Sequence, residues 1–122
     1  MTALVLTALF ALAGPSQPPA AAGSPHIVFV CEHGAAKSLI ASAYFNKLAA
    51  ERSLAVRAVF RAVDALGALS VRAVAGLKED GLAIPNERPT AIAATDVAVA
   101  THMFTIGCAL PQTLAASGKV QS

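Results

Sequence analysis

The chain has 122 residues, a formal net charge of +2 and 56% hydrophobic residues, dominated by alanine and valine. Such a length holds one domain at most, and so weak a positive charge, with no basic stripe interleaved with aromatics, does not indicate nucleic acid. Two cysteines are too few for a disulfide scaffold. The three histidines, His26, His33 and His102, lack metal-site spacing, so neither a metal nor another cofactor is implied.

In chain order, the first feature is an apolar run from Leu4 to Leu12, broken only by Thr7. It is too short to span a bilayer, which takes ~20 residues. Gly-Pro-Ser-Gln-Pro-Pro and Ala20-Ala-Ala-Gly-Ser24 follow, and the whole fits the hydrophobic segment of a secretory signal, with small-residue cleavage after Ala22 or Ala13. No lysine or arginine precedes the run. Residues 1–22 are expected to be a signal peptide or an N-terminal extension, with an exported protein favoured over a cytoplasmic one. Residues 23–122 then form the domain, a size sufficient for a small α/β core.

His26-Ile-Val-Phe-Val-Cys31-Glu-His-Gly-Ala-Ala-Lys37-Ser38 carries the most information. Ile27 to Val30 are all β-branched or aromatic, as in a strand buried on both faces. From Leu39 the period becomes helical, and Ala41, Tyr44, Phe45 and Leu48 fall on one face, the expected core face. Between strand and helix, Gly34, Ala35 and Ala36 leave room for backbone N–H groups to converge. A strand, a small-residue loop and a helix N-terminus make an anion cradle. A thiol placed there is pushed toward its thiolate. Lys37 stands in the first helical turn, where the macrodipole disfavours a cation, so an anion or thiolate beside it explains its presence better than helix stability does. His33 lies in the loop, either tuning Cys31 or solvated.

Val56 to Val63 reads as a second strand. Ser70 suits the N-cap of a helix from Val71, with Val74, Ala75 and Lys78 on one face, and Gly81 suits its C′ position. Pro85 to Pro89 is a loop, Thr90 to Thr95 one helical turn, and Val97 to Met103 the next strand. Alternating strands and helices imply a parallel sheet between helical layers. Ligands bind beyond the carboxyl ends of such strands, where Cys31 and Cys108 both fall.

Cys-x5-basic-Ser between strand and helix, with the Ala-Tyr-Phe-Asn-Lys-Leu-Ala helix that follows, resembles the phosphate loop of the low-molecular-weight protein tyrosine phosphatases and the related thioredoxin-coupled arsenate reductases. The resemblance runs from about His26 to the end of the chain. It implies a three-layer α/β/α fold with a small parallel sheet, and a Cys31 nucleophile supported by Lys37 and Ser38. It further implies that the backbone of Glu32, His33, Gly34, Ala35, Ala36 and Lys37 holds the oxyanion. The chemistry implied is phosphate monoester hydrolysis of the phosphotyrosine type, or arsenate reduction. Partners would be phosphate, arsenate or a phosphorylated substrate, and a thiol reductant such as thioredoxin; no nucleic acid or stable membrane span is expected. Cys108, in a Gly-Cys context, would be a redox partner able to pair with Cys31. Three features depart from the family: Lys37 replaces an arginine, Gly34 stands where asparagine is frequent, and no Asp-Pro general acid follows. The chain is expected to end before that segment. An enzyme is favoured; the alternative is a degenerate, non-catalytic oxyanion binder.

Overall fold

The computed structural model describes residues 26–85, 87–115 and 119–122; the proposed signal or extension, 1–22, lies outside them. The elements are β1 (His26–Cys31), α1 (Lys37–Glu51), β2 (Arg57–Ala62), α2 (Val71–Glu79), α3 (Ala94–Val99), β3 (His102–Ile106), α4 (Gln112–Ala115) and β4 (Val120–Gln121). The strands form one parallel sheet in the order β2-β1-β3-β4. β1 is central, paired on one side so that Cys31 meets Ala62 and on the other so that it meets Ile106. This explains the unbroken apolar sequence of β1: Val28 and Val30 have no exposed surface.

Each face of the sheet has its own core. On one, α1 and α2 bury Leu39, Ala43, Ala73, Leu77 and Leu82 around Phe60 of β2. On the other, Val28, Val30 and Met103 pack with Ala100 and Leu110, joined by Val97 of α3. The expected three-layer α/β architecture is the one observed. Phe29 stacks on Phe104 with ring centroids 5.4 Å apart and meets Phe45 edge-on at 5.9 Å, which ties β1 to β3 and α1.

The edge strand β2 is covered along its free side. Asn46 of α1 accepts from the Ala58 N–H at 2.7 Å and donates to its carbonyl at 2.9 Å, while Ala62 pairs with the stretch Thr90–Ile92. Unpaired edge backbone is thereby satisfied.

Three sequence expectations need correction. The buried face of α1 consists of Ser38, Leu39, Ser42, Ala43 and Ala49, whereas Tyr44 and Leu48 are more than a third exposed. Small side chains let this helix lie close on the sheet, so the larger residues end at its rim. In α2, Ser70 is the N-cap, accepting from the Ala73 N–H, and Gly81 follows the helix with φ +71, both as expected; the buried residues are Ala73 and Leu77, with Val74 packed against the same core and Ala75 and Lys78 exposed. Finally, Val97–Val99 belong to α3, and the next strand starts only at His102. The Asp96 carboxylate accepts from the Ala93 N–H at 2.9 Å and fixes a helix start there, so Thr90–Ala93 is not the helical turn.

Candidate active site

The carboxyl end of β1 delivers Cys31 into the loop Glu32–Ala36, and α1 begins at Lys37. The Cys31 sulfur accepts from the Gly34 N–H at 3.2 Å and lies 3.1 Å from the Ser38 hydroxyl. Burial works to raise the Cys31 thiol. It is outweighed by the Ser38 hydroxyl and by the backbone N–H groups of Ser38, Gly34 and His33, which leave the thiol below its ordinary value. The Ser38 hydroxyl also reaches the Arg61 carbonyl at 3.3 Å. It has one proton for two acceptors. With Cys31 protonated, the thiol can donate to Ser38 while Ser38 donates to Arg61; with a thiolate, the hydroxyl turns to sulfur.

The orientation of the loop follows from where its carbonyls go. Those of Cys31, Glu32 and His33 accept from the N–H groups of Val63, Asp64 and Leu66, at 2.7–3.3 Å. Those of Ala35 and Ala36 accept from Ser70 and Ile40, both at 2.8 Å. In a trans peptide the N–H points opposite to its carbonyl. Holding these five carbonyls outward therefore turns the N–H groups of Glu32, His33, Gly34, Ala36 and Lys37 to the side of the cysteine sulfur. The N-terminus of α1 adds to the same field, since no side chain caps it and no acid stands in its first turn.

Gly34 has φ +61, and a Cβ there would lie 2.8 Å from the Ala62 Cβ. The loop thus packs directly on the end of β2, and a side chain at this position would need both a rare backbone conformation and more space.

The predicted residues separate into distinct places. Cys31, Ser38 and the loop backbone converge. Lys37 is exposed and its ammonium lies over Gly107, whose imaginary Cβ would be 3.3 Å from Nζ. The imidazole of His33 turns to the Asp64 carbonyl, 3.0 Å from Nδ1, so what His33 gives Cys31 is its backbone N–H. Cys108 follows β3 by two residues, with its sulfur 3.6 Å from the Val30 carbonyl, and both thiols are free. Burial pushes the Cys108 thiol up, and the negative Cys31 and Glu32 add to this against the Ile106 backbone and Lys37.

Sequence reasoning did not find Arg61, Ala62, Gly107 or the anchoring stretch 63–70. Arg61 is held by Asp96, Nε to Oδ1 at 3.0 Å, with both side chains largely buried. Nothing local in the sequence signals a pair so far apart. Among the described residues no cluster of His, Cys, Asp or Glu could hold a metal, and no helix is long and apolar enough to cross a membrane.

This geometry defines a class: a cysteine at a parallel-strand end, its thiol lowered by hydrogen bonds from the backbone loop that opens a helix. Solved structures share that arrangement of elements. The chain superposes on a YwlE mutant from Bacillus subtilis with a TM-score of 0.71 at 24% identity, covering 81% of this chain and 71% of the other. A low-molecular-weight protein tyrosine phosphatase from T. tengcongensis gives 0.69 at 21% identity, covering 81% and 73%. The thioredoxin-dependent arsenate reductase of Corynebacterium glutamicum gives 0.64 at 23% identity, covering 75% of this chain and 46% of its own. Another YwlE structure, described as an arginine phosphatase with a phosphorylated active-site serine, gives 0.70 at 22% identity, covering 80% and 68%. No family model and no curated protein matches the sequence. The fold is therefore the low-molecular-weight phosphatase fold, and the likeness read from the loop holds at that level.

Proposed function

We propose that the chain is an enzyme of cysteine-dependent oxyanion chemistry, with Cys31 as nucleophile and the Glu32–Lys37 backbone as the anion cradle. The observation that carries this reading is the depressed Cys31 thiol inside a loop whose carbonyls are tied outward. In phosphate monoester hydrolysis, the thiolate attacks phosphorus in line with the leaving oxygen. The S–P bond forms as the P–O bond breaks, and the loop amides take up charge on the equatorial oxygens. Water then cleaves the phosphocysteine. Lys37 offers a point charge where an arginine would grip two oxygens, so the second half of the stabilisation is weak. Aryl phosphates, whose leaving group needs no added proton, suit such a site best.

A second reading has support from Cys108, which follows β3 on the same edge as Cys31. There the oxyanion is arsenate, and Cys108 displaces arsenic from a Cys31 adduct, with a thioredoxin-like dithiol as reductant. For residues 1–22 the proposal is an export signal, which N-terminal sequencing of the secreted form tests.

Two measurements decide the main reading. Phosphate, arsenate or tungstate should slow alkylation of Cys31 by iodoacetamide; equal rates with saturating oxyanion would remove the cradle. Hydrolysis of p-nitrophenyl phosphate should be slow in the parent, faster in Lys37→Arg and absent in Cys31→Ser. Activity surviving in Cys31→Ser would overturn the nucleophile, and protection without any turnover would leave a non-catalytic binder.

A further inference from the structure

Away from the cysteine, α1 and α2 leave an open groove of about 180 Å³ between them. Ala73, Gly76 and Leu77 line it from α2, while Ile40 and Tyr44, both more than a third exposed, line it from α1. Arg72 and Asp80 border it two helical turns apart. The Tyr44 hydroxyl donates to the Asp80 carboxylate, which keeps that acid at the groove.

Three features of α2 have no explanation within one chain. Gly76 stands in the helix interior, where glycine weakens a helix, yet its φ is not positive and a Cβ there would meet nothing within 4 Å. Arg72 occupies the first turn, and Glu79 and Asp80 end the helix, so each opposes the helix dipole; Lys78 alone is placed with it. Arg72 has no ion-pair partner among the described residues. The spacing is also symmetric. Arg72, Gly76 and Asp80 follow at steps of four on one side of the helix. Gly76 lies midway, about 6 Å of rise from each charge.

We propose that α2 packs antiparallel against α2 of a second copy of this chain, about a two-fold axis at Gly76. Arg72 of each copy then meets Asp80 of the other, and each charge reaches the helix end that favours it. The carboxylate has lone pairs for both the Tyr44 hydroxyl and the guanidinium. Two glycines at the crossing let the helix axes approach to about 8 Å, the close end of helix packing. Each copy covers the Ile40 and Tyr44 surface that the other leaves bare, as a self-complementary interface requires. One helix pair is a small contact, so the dimer is weak and reversible, with a Kd on the order of 100 µM. The pairing does not depend on the reaction at Cys31.

Sedimentation equilibrium of the full chain, up to ~1 mM, measures the dimer. Arg72→Asp or Asp80→Arg alone places like charges together at both ends and should weaken it by roughly tenfold or more. An equimolar mixture of these two variants restores both opposite-charge pairs, and should form a heterodimer within about threefold of the parent affinity. Gly76→Leu should abolish the dimer while thermal unfolding shows a monomer at least as stable as the parent, because leucine is the better helix former and has open space. A parent chain that stays monomeric throughout would overturn the proposal. So would a dimer that survives Gly76→Leu, or charge variants that remain monomeric when mixed.

Discussion

Replacing Gly34 by alanine tests how closely the anion loop is bound to β2. Two costs add at this position. Left-handed backbone at φ +61 costs a non-glycine residue about 1–2 kcal/mol. The new Cβ would also meet the Ala62 Cβ at 2.8 Å, an overpacking of a buried site that typically costs about 1–3 kcal/mol. Gly34→Ala should therefore destabilise the domain by about 2–5 kcal/mol, a large share of an ordinary stability of roughly 5–15 kcal/mol. Ala62→Gly alone loses one buried methyl and adds chain entropy, about 1.5 kcal/mol. In the double variant the methyl–methyl clash is gone and the remaining neighbours, the Ala62 nitrogen and the Arg61 carbonyl oxygen, stand at an ordinary 3.4 Å. The double variant should then be about 1–3 kcal/mol more stable than the two single costs predict. Urea unfolding followed by circular dichroism measures all four proteins. Additivity within about 0.5 kcal/mol would refute the close approach and leave backbone conformation as the sole reason for glycine.

Ser38→Ala removes a hydroxyl bond to the thiolate, a type of bond worth about 1.5–3 kcal/mol, so Cys31 alkylation at neutral pH should fall by roughly tenfold or more. The sign of the linked stability is also fixed. The folded Cys31 thiol lies below its ordinary value, so its contribution is fully present above the unfolded thiol value and is lost as pH falls through the folded one. Ser38→Ala should flatten that part of the stability–pH curve, read by chemical denaturation at a series of pH values; an unchanged slope would contradict the hydrogen-bond account. Asp96→Ala strips Arg61 of its carboxylate and leaves the Ala93 N–H uncapped, which should cost roughly 3 kcal/mol in thermal or urea unfolding, and a loss under about 1 kcal/mol would argue against a working pair.

The proposed nucleophile was legible because the residues around it are local. Cys31, Gly34, Lys37 and Ser38 occupy one strand–loop–helix step, and the change of period from β1 to α1 marks that step without any tertiary knowledge. The parallel sheet followed from alternation, and the ends of α2 from Ser70 and Gly81. What escaped the sequence depends on contacts between distant segments. Ser38, Ser42 and Ala43 carry little hydrophobic signal, yet they form the seam of α1, because closeness to the sheet matters there more than side-chain size. Val97-Ala-Val99 alternates as a strand would, yet it is helical, started by the capping carboxylate of Asp96 and packed through Val97 on the core. The placement of Lys37 over Gly107 needs the register of β1 against β3, which no spacing rule supplies.

The outward carbonyls of the loop have a dynamic consequence. Four of their five partners, Val63, Asp64, Leu66 and Ser70, lie on the single connection between β2 and α2, whose middle, from Asp64 to Ala68, is exposed. The proposed cradle is thus only as persistent as that connection. If residues 63–70 open transiently, the loop amides lose their aim while the rest of the sheet stays folded, so anion capture and global unfolding are separate events. The relation runs both ways: an anion that requires aligned amides must slow the opening of the connection, to an extent set by its concentration relative to its dissociation constant. On the proposed anion-binding reading, amide exchange at Val63, Asp64, Leu66 and Ser70 should therefore report occupancy at Cys31, although none of these four residues lies in the loop itself.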